Sequence, residues 1–276
     1  MRTMIARLGS KLTPCAFRGA VVAIVALTCS ISANAFVTFG QSFGVTPIEL
    51  KWGDSRLAGT SGGTVTYSFL PSGTPCSIFV QNAGLGNNCR AEDPANVFGV
   101  GYESFFSNVF DAWSQWADID FVQVADDGSA SGRDTASAST GIIRIGAANY
   151  DRRVFGVGFA NFGGGSGKGL DGDVLLNSAY GSDFRRDLNF FTGLALHEIG
   201  HTLGLAHSDV FLSVMSQFGS FFNTPQADDI AGIQAIYGLR QQQEVPEPGS
   251  LALALTAFGI WGMVVRRKKS ARVTRA

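Results

Sequence analysis

The segment HEIGHTLGLAH constrains this chain more than any other part, because it contains all three histidines among the 276 residues. Positions four apart share one face of an α-helix, so His197 and His201 can direct imidazole nitrogens at one metal ion. Gly204 can adopt the left-handed conformation that ends a helix. The turn that follows would let His207 approach the same ion. The segment therefore predicts a helix, a glycine turn and three ligands on one ion.

Three neutral imidazoles with one open position are typical of a catalytic zinc ion rather than a closed structural one. Glu198 follows the first ligand and can act as the general base, taking a proton from zinc-activated water during attack on a peptide carbonyl. An isolated HExxH pattern also arises by chance in ordinary helices. The third histidine makes the extended pattern far more specific, so we expect one catalytic Zn²⁺ and a hydrolytic site.

The first 35 residues have the three parts of a secretory signal peptide. An apolar stretch follows several basic residues and ends at a small-residue cleavage site, Ala33-Asn34-Ala35. We expect residues 1–35 to be removed on export. The alternative is an uncleaved N-terminal anchor.

The other end of the chain combines a linker, residues 239–250, with a hydrophobic and basic tail, residues 251–276. The apolar part of the tail would span roughly 22 Å as a helix, short of the roughly 30 Å of a hydrocarbon core. Pro246-Glu247-Pro248, the apolar stretch and the terminal basic cluster together resemble the PEP-CTERM sorting signal. That resemblance implies exosortase-type sorting machinery as a partner and at least transient contact with the membrane. We expect the protein in the cell envelope or outside the cell, with anchoring by the tail as a transmembrane helix as the alternative.

Charge and cysteine content describe the part between the two ends. Residues 36–248 carry 11 basic and 22 acidic side chains, a net charge of −11. Nucleic acid is therefore not expected as a partner, because phosphate binding needs a basic surface. Cys76 and Cys89 close a short loop and are expected to form a disulfide in an exported domain. Two free thiols are the alternative.

Hydrophobic patterning places strands and helices along residues 36–238, which we interpret as one domain. Strands are predicted at GGTVTYSFL, IDFVQV, GIIRIGA and VFGVGFANF. In the last of these, Gly156 and Gly158 either weaken the strand or allow close backbone approach. Helices are predicted at ESFFSNVFDAWSQWADI, through the histidine segment and at NTPQADDIAGIQAIYG, the last with Thr224 as N-cap and acidic residues near its positive end.

The segment HEIGHTLGLAHS resembles the zinc motif of the metzincin peptidases, and further segments resemble the matrixin group within them. Ser208 follows the third ligand, the SVM of residues 213–215 resembles the Met-turn that places Met215 beneath the metal, and DDIAGIQAIYG resembles the matrixin C-terminal helix. The resemblance covers residues 50–238. It implies an α+β zincin-like fold with a twisted, mixed five-stranded sheet and about three helices. It also implies a secreted zinc endopeptidase acting on extracellular proteins, with VGFANFG as the edge strand that pairs with extended substrate.

Three points depart from the matrixin pattern or extend it. Phe159 and Leu175 stand where histidines of a second, structural zinc would align, so one zinc is expected. Asp171, Asp173 and Asn177 are candidate ligands of a Ca²⁺ ion, with a solvated acidic loop as the alternative. The rival function is a secreted extracellular-matrix or adhesion protein with a vestigial zinc site. Intact Glu198 argues against it, because a structural zinc has no use for a general base.

Overall fold

A five-stranded mixed sheet organises the fold. It is seen in a computed structural model that describes residues 36–43, 46–82, 84–86, 88–130, 142–160, 172–219 and 222–240. Two short antiparallel strands, β1 (Gln41–Phe43) and β2 (Thr46–Ile48), precede it. The main sheet then consists of β3 (Gly63–Phe69), β4 (Ile119–Gln123), β5 (Ile143–Ala148), β6 (Gly156–Gly158) and β7 (Val174–Asn177).

The order of strands across the main sheet is β4-β3-β5-β7-β6. The first four strands run parallel to one another, and β6 pairs antiparallel with β7 at the edge. All four strands predicted from patterning are present. The fourth is shorter than predicted, because β6 covers only Gly156–Gly158 and residues 161–171 lie outside the described part.

Three long helices match the three predicted ones: α3 (Tyr102–Ser114), α5 (Leu188–Thr202) and α6 (Ala227–Tyr237). Three short helices are additional, namely α1 (Ser77–Asn82), α2 (Pro94–Phe98) and α4 (Gly181–Arg186), together with a 3-10 turn at Ser178–Tyr180. Together with the mixed sheet, these helices confirm the α+β, zincin-like fold class.

The beginning of α6 differs from the prediction. The helix starts at Ala227 with Gln226 as its N-cap, not with Thr224. The Gln226 side chain accepts a hydrogen bond from the backbone N–H of Asp229, and the Asp229 side chain accepts one from the backbone N–H of Gln226. These two bonds form a capping box. Asp229 therefore has a specific partner at the helix start, beyond the general attraction of an acidic residue to the helix dipole.

The two faces of the sheet are buried in different clusters. Ile143, Ile145 and Leu176 belong to the main core with α3, α5 and α6. Leu175 points the other way, because side chains alternate along a strand, and it packs in a smaller cluster with Cys76 and Cys89. These two cysteines form the expected disulfide, with their Cα atoms 4.8 Å apart. The disulfide therefore lies on the face of the sheet opposite α3, α5 and α6.

Some predictions fall outside the described residues. The signal peptide, the hydrophobic tail and Asp171 are all among them. Within the described part, no helix is both long and apolar enough to cross a bilayer.

Candidate metal centre and catalytic cleft

The three histidines come together as the sequence predicts. The Nε2 atom of His207 lies 3.2 Å from Nε2 of His197 and 3.2 Å from Nε2 of His201. His197 and His201 lie on one face of α5, and His207 arrives from the segment after the helix. They form the one cluster of potential metal ligands found among the described residues.

Backbone carbonyls fix the orientation of two of the rings. His197 Nδ1 lies 2.7 Å from the carbonyl oxygen of Val214, and His201 Nδ1 lies 2.8 Å from that of Leu205. A carbonyl only accepts hydrogen bonds, so each Nδ1 carries the proton and each Nε2 presents a lone pair to the centre. Burial lowers the pKa of His197 and lowers the pKa of His201 to about 3, which keeps both rings neutral.

These three ring nitrogens are better placed to bind one cation than to form hydrogen bonds with one another. A proton on Nε2 of His207 can form a good hydrogen bond to Nε2 of His197 or to Nε2 of His201, but not to both. The remaining Nε2 lone pair would then face a nitrogen at 3.2 Å without a hydrogen bond. A zinc ion accepts all three lone pairs at once. The histidines therefore fit the Zn²⁺ that the motif implies, with His197, His201 and His207 as its ligands.

The turn at Gly204 shapes the centre as well as ending the helix. Gly204 has a φ of 99°, and a Cβ there would lie 2.5 Å from the carbonyl oxygen of Leu50. Its N–H bonds to the carbonyl of His201, and the N–H of Leu205 bonds to the carbonyl of Gly200. This pair of bonds is a Schellman motif. The same turn positions the Leu205 carbonyl that orients His201.

Glu198 lies beside the ligands but is buried, with 6 % of its surface exposed. Burial raises the pKa of its carboxyl to about 8, and a hydrogen bond from the Gly158 backbone opposes that shift. The residue also lines the cleft that contains His197 and His207. The position of this carboxyl in the lining allows it to exchange a proton with a water molecule in the cleft.

Two glycines of β6 permit this arrangement. A Cβ at Gly158 would lie 2.1 Å from the backbone oxygen of Glu198, and one at Gly156 would lie 3.0 Å from its Oε1. The edge strand therefore packs directly on the turn of α5 that contains Glu198. Of the two interpretations of these glycines, the structure supports close backbone approach.

Met215 lies where the Met-turn resemblance implies. It is buried, and a Cβ at Gly200, between the two helical ligands, would lie 2.4 Å from its Sδ. Gly200 is thus required for Met215 to pack directly beneath the ligand-bearing turn. The position of Gly200 in the sequence does not by itself predict this contact with Met215.

Asp229 is the supporting residue that the sequence analysis missed. Its buried carboxylate accepts hydrogen bonds from the hydroxyl of Ser213 (2.6 Å) and from the N–H groups of Val214 (2.8 Å), Met215 (3.1 Å) and Gln226 (2.8 Å). The carbonyl of Val214 in turn orients His197. Helix α6 is therefore connected to the first ligand through one peptide unit, an outer-shell contact of the kind that tunes metal affinity.

Asp228, the residue before Asp229, makes a similar contact near the third histidine. Its Oδ2 accepts a hydrogen bond of 2.7 Å from the hydroxyl of Ser208, the residue that follows the third ligand, His207. The backbone N–H of Ser208 donates to the carbonyl of Met215 at 2.7 Å. The two adjacent aspartates thus hold the two ends of the segment between His207 and Met215.

The cleft beside the metal centre has a volume of about 340 Å³. One wall comes from the start of β6 and the turn before it, and another from α5. The segment after Met215 closes the cleft with polar and small residues. Its lining residues are Arg153, Val154, Phe155, Gly156, Gly193, Leu194, His197, Glu198, His207, Ser216, Gln217 and Gly219.

The candidate calcium ligands have other contacts. Asn177 is buried, its amide donates to the carbonyls of Asp151 and Val154, and its Oδ1 accepts from the N–H of Ala179. Asp173 is buried, and its negative charge helps to raise the pKa of Arg144. Calcium binding stays a prediction, since Asp171 is outside the described residues.

Comparison with known protein families gives two matches. The family model described as Matrixin matches residues 97–238, which include the three histidines, Glu198 and Met215. The model described as the PEP-CTERM protein-sorting motif matches residues 244–269. The two matches confirm both resemblances noted in the sequence.

Curated relatives agree at the level of the domain. The chain is 40% identical over 82 residues to matrilysin of Rattus norvegicus, covering 28% of this chain and 30% of that protein. It is 30% identical over 159 residues to macrophage metalloelastase of Oryctolagus cuniculus, covering 53% of this chain and 31% of that protein. Interstitial collagenase of Oryctolagus cuniculus is 40% identical over 84 residues, 29% of this chain and 18% of its own length. The chain thus spans less than a third of the length of these relatives.

Proposed function

This chain belongs to the matrixin family of zinc metallopeptidases, and from that premise we propose that it is a zinc-dependent endopeptidase acting on extracellular proteins. The observation that carries the proposal is the placement of Glu198. Its carboxyl lines the same open cleft as His197 and His207, while neighbouring carbonyls aim the ring nitrogens at one point. A structural metal site would need neither the cleft nor the carboxyl.

A zinc ion in this centre supplies Lewis acidity toward a substrate carbonyl and lowers the pKa of water when bound. The chain's own groups do the remaining work. Glu198 takes a proton from the attacking water and returns it to the leaving amine. Strand β6 is at the edge of the sheet and Gly156 lines the cleft, so an extended peptide can add beside it as a further strand.

Replacing Glu198 with alanine tests the proposal. We expect peptide cleavage to fall roughly 10²- to 10⁴-fold, the usual contribution of a general base, while bound zinc stays near one equivalent. His201→Ala is the matched control, since it should lose both zinc and cleavage. A broad peptide library provides the substrate. Wild-type protein that binds zinc yet cleaves no member of the library would refute the enzyme and favour the adhesion-protein alternative.

We also propose that the protein is exported and sorted to the cell envelope, with residues 1–35 as signal peptide and the tail as sorting signal. The match of residues 244–269 to the sorting motif supports this. Mass spectrometry of the envelope-associated protein should find an N-terminus near Phe36 and a C-terminus before the apolar stretch. Recovery of the intact tail in the mature protein would show an anchor instead.

A further inference from the structure

Arg153 is the only lysine or arginine among the described residues that line the catalytic cleft. It lies in the turn before β6, and its side chain is 84% exposed. Apart from the histidines and the buried Glu198, the other residues of the lining are uncharged. A substrate held in the cleft therefore meets one exposed guanidinium from the wall.

The guanidinium has one edge occupied and one edge available. Nε donates to both carboxylate oxygens of Asp151, at 3.0 and 2.9 Å, and Nη2 donates to the same carboxylate. These bonds lower the pKa of Asp151 to about 2, so it stays charged and holds the arginine in place. Among the described residues, nothing is bonded to Nη1. An arginine can bind a second carboxylate through that outer edge, because its donors form a planar fork.

The distance from Arg153 to the reacting centre sets which substrate position it would contact. Gly156, three residues further on, packs against the carboxyl of Glu198. Arg153 lies in a turn, so these three residues span at most roughly 10 Å, the length that a fully extended chain would reach. A peptide added along the edge strand would therefore place a side chain near Arg153 two to four residues from the bond that is cleaved.

Resting on the proposed peptidase function, we propose that Arg153 is a specificity-determining residue that selects substrates with an acidic side chain two to four positions from the cleaved bond. The net charge of −11 on residues 36–248 does not oppose this at short range. Salt screens charges beyond about 8 Å under physiological conditions, so the contact with Arg153 dominates over distant acidic groups.

Matched fluorogenic peptides test the proposal with zinc-loaded protein. Glu, Gln or Lys is placed in turn at each of the second to fourth positions on either side of the cleaved bond, and kcat/KM is measured. At one position on one side, we expect Glu to be preferred over Lys by about fivefold, the discrimination of an exposed ion pair. The preference should shrink as salt is raised.

Three variants separate the local contact from general charge. Arg153→Glu should remove or invert the preference. Asp151→Asn should increase it, since the charge that partly neutralises Arg153 is gone. Arg186→Glu is the matched control: Arg186 is 83% exposed, pairs with Asp183 and does not line the cleft, so the preference should be unchanged.

Each outcome decides a separate question. Cleavage of all peptides without discrimination, or an equal change in Arg153→Glu and Arg186→Glu, overturns the role of Arg153 and leaves the peptidase standing. Absence of cleavage by zinc-loaded wild type overturns the peptidase and this inference together.

Discussion

Replacing Asp229 with asparagine changes only one atom of a carboxylate, yet that carboxylate holds the turn beneath the metal centre. Oδ1 accepts hydrogen bonds from Ser213 and Met215, and Oδ2 accepts from Val214 and Gln226. The partners of both oxygens are hydrogen-bond donors. An amide nitrogen is also a donor, so it cannot replace either oxygen in these bonds. At least one buried N–H then loses its hydrogen bond to this side chain, although the Met215 N–H keeps a second bond of 3.0 Å to the Ser213 hydroxyl.

The size of the effect follows from these bonds. A hydrogen bond to a charged group contributes about 1.5 to 3 kcal/mol, and an unsatisfied buried donor costs about 1 to 3 kcal/mol. The Ser213 hydroxyl can rotate to accept from the new amide, which limits the damage to one N–H and to the lost charge. We therefore expect Asp229→Asn to destabilise the protein by about 2 to 4 kcal/mol.

The same substitution should weaken metal binding. The Val214 carbonyl orients His197 at 2.7 Å, and Asp229 accepts a hydrogen bond of 3.1 Å from the Met215 N–H of the same peptide unit. Loss of an outer-shell contact of this kind typically costs 10- to 100-fold in metal affinity, so zinc Kd should rise by roughly that factor. Competition with a chromophoric chelator measures the affinity, and denaturant unfolding of metal-free protein measures stability without the contribution of bound zinc.

Asp228→Asn is the matched control, because it makes the same chemical change at the neighbouring position. Asp228 is half-buried and accepts one hydrogen bond, from Ser208, which an amide oxygen can also accept. We expect its stability to change by less than about 1 kcal/mol. If Asp229→Asn matched wild type in both stability and zinc affinity, or if the two variants behaved alike, the connection from α6 to His197 would be wrong.

Three further substitutions test other parts of the structure. Gly204→Ala should destabilise by more than about 1 kcal/mol and weaken zinc binding, because its φ is 99° and a Cβ would meet a backbone oxygen at 2.5 Å; thermal unfolding and chelator competition measure both. Gly158→Ala should cost about 1 to 3 kcal/mol and lower kcat/KM at least tenfold, since its Cβ would overlap the backbone of Glu198, and unaltered kinetics would contradict that packing. Replacing Cys76 and Cys89 with serine should lower stability by about 3 kcal/mol without changing zinc affinity, because the disulfide closes a short loop on the opposite face of the sheet, and a parallel loss of zinc would disprove that separation.

Patterning predicted the main elements, and tertiary contacts corrected their details. Helical spacing in the segment of α3 predicts a buried face of Phe105, Val109, Ala112, Trp113 and Trp116. Val109 and Trp113 are buried, and Phe105 and Ala112 pack partly buried against the core. Phe106 and Phe110 are buried as well, while Trp116 lies beyond the end of the helix and is 38% exposed. Thr224 was expected to cap α6, but Asp229 accepts the N–H of Gln226 and moves the helix start. Local propensity allows several caps and faces, and the packing partner selects one.

The candidate site divides in the same way. The sequence by itself determined the candidate ligands His197, His201 and His207, the candidate base Glu198 and the turn at Gly204, because helical periodicity and the conformational freedom of glycine act within a few residues.

Only the tertiary structure decided the hold of Asp229 on the Val214 peptide, the close approach of β6 to Glu198, and the place of Arg153 at the wall of the cleft. These contacts join α6, the edge strand and α5, which are distant in sequence. No local pattern specifies such distances, since they depend on how helices and sheet pack around a shared core.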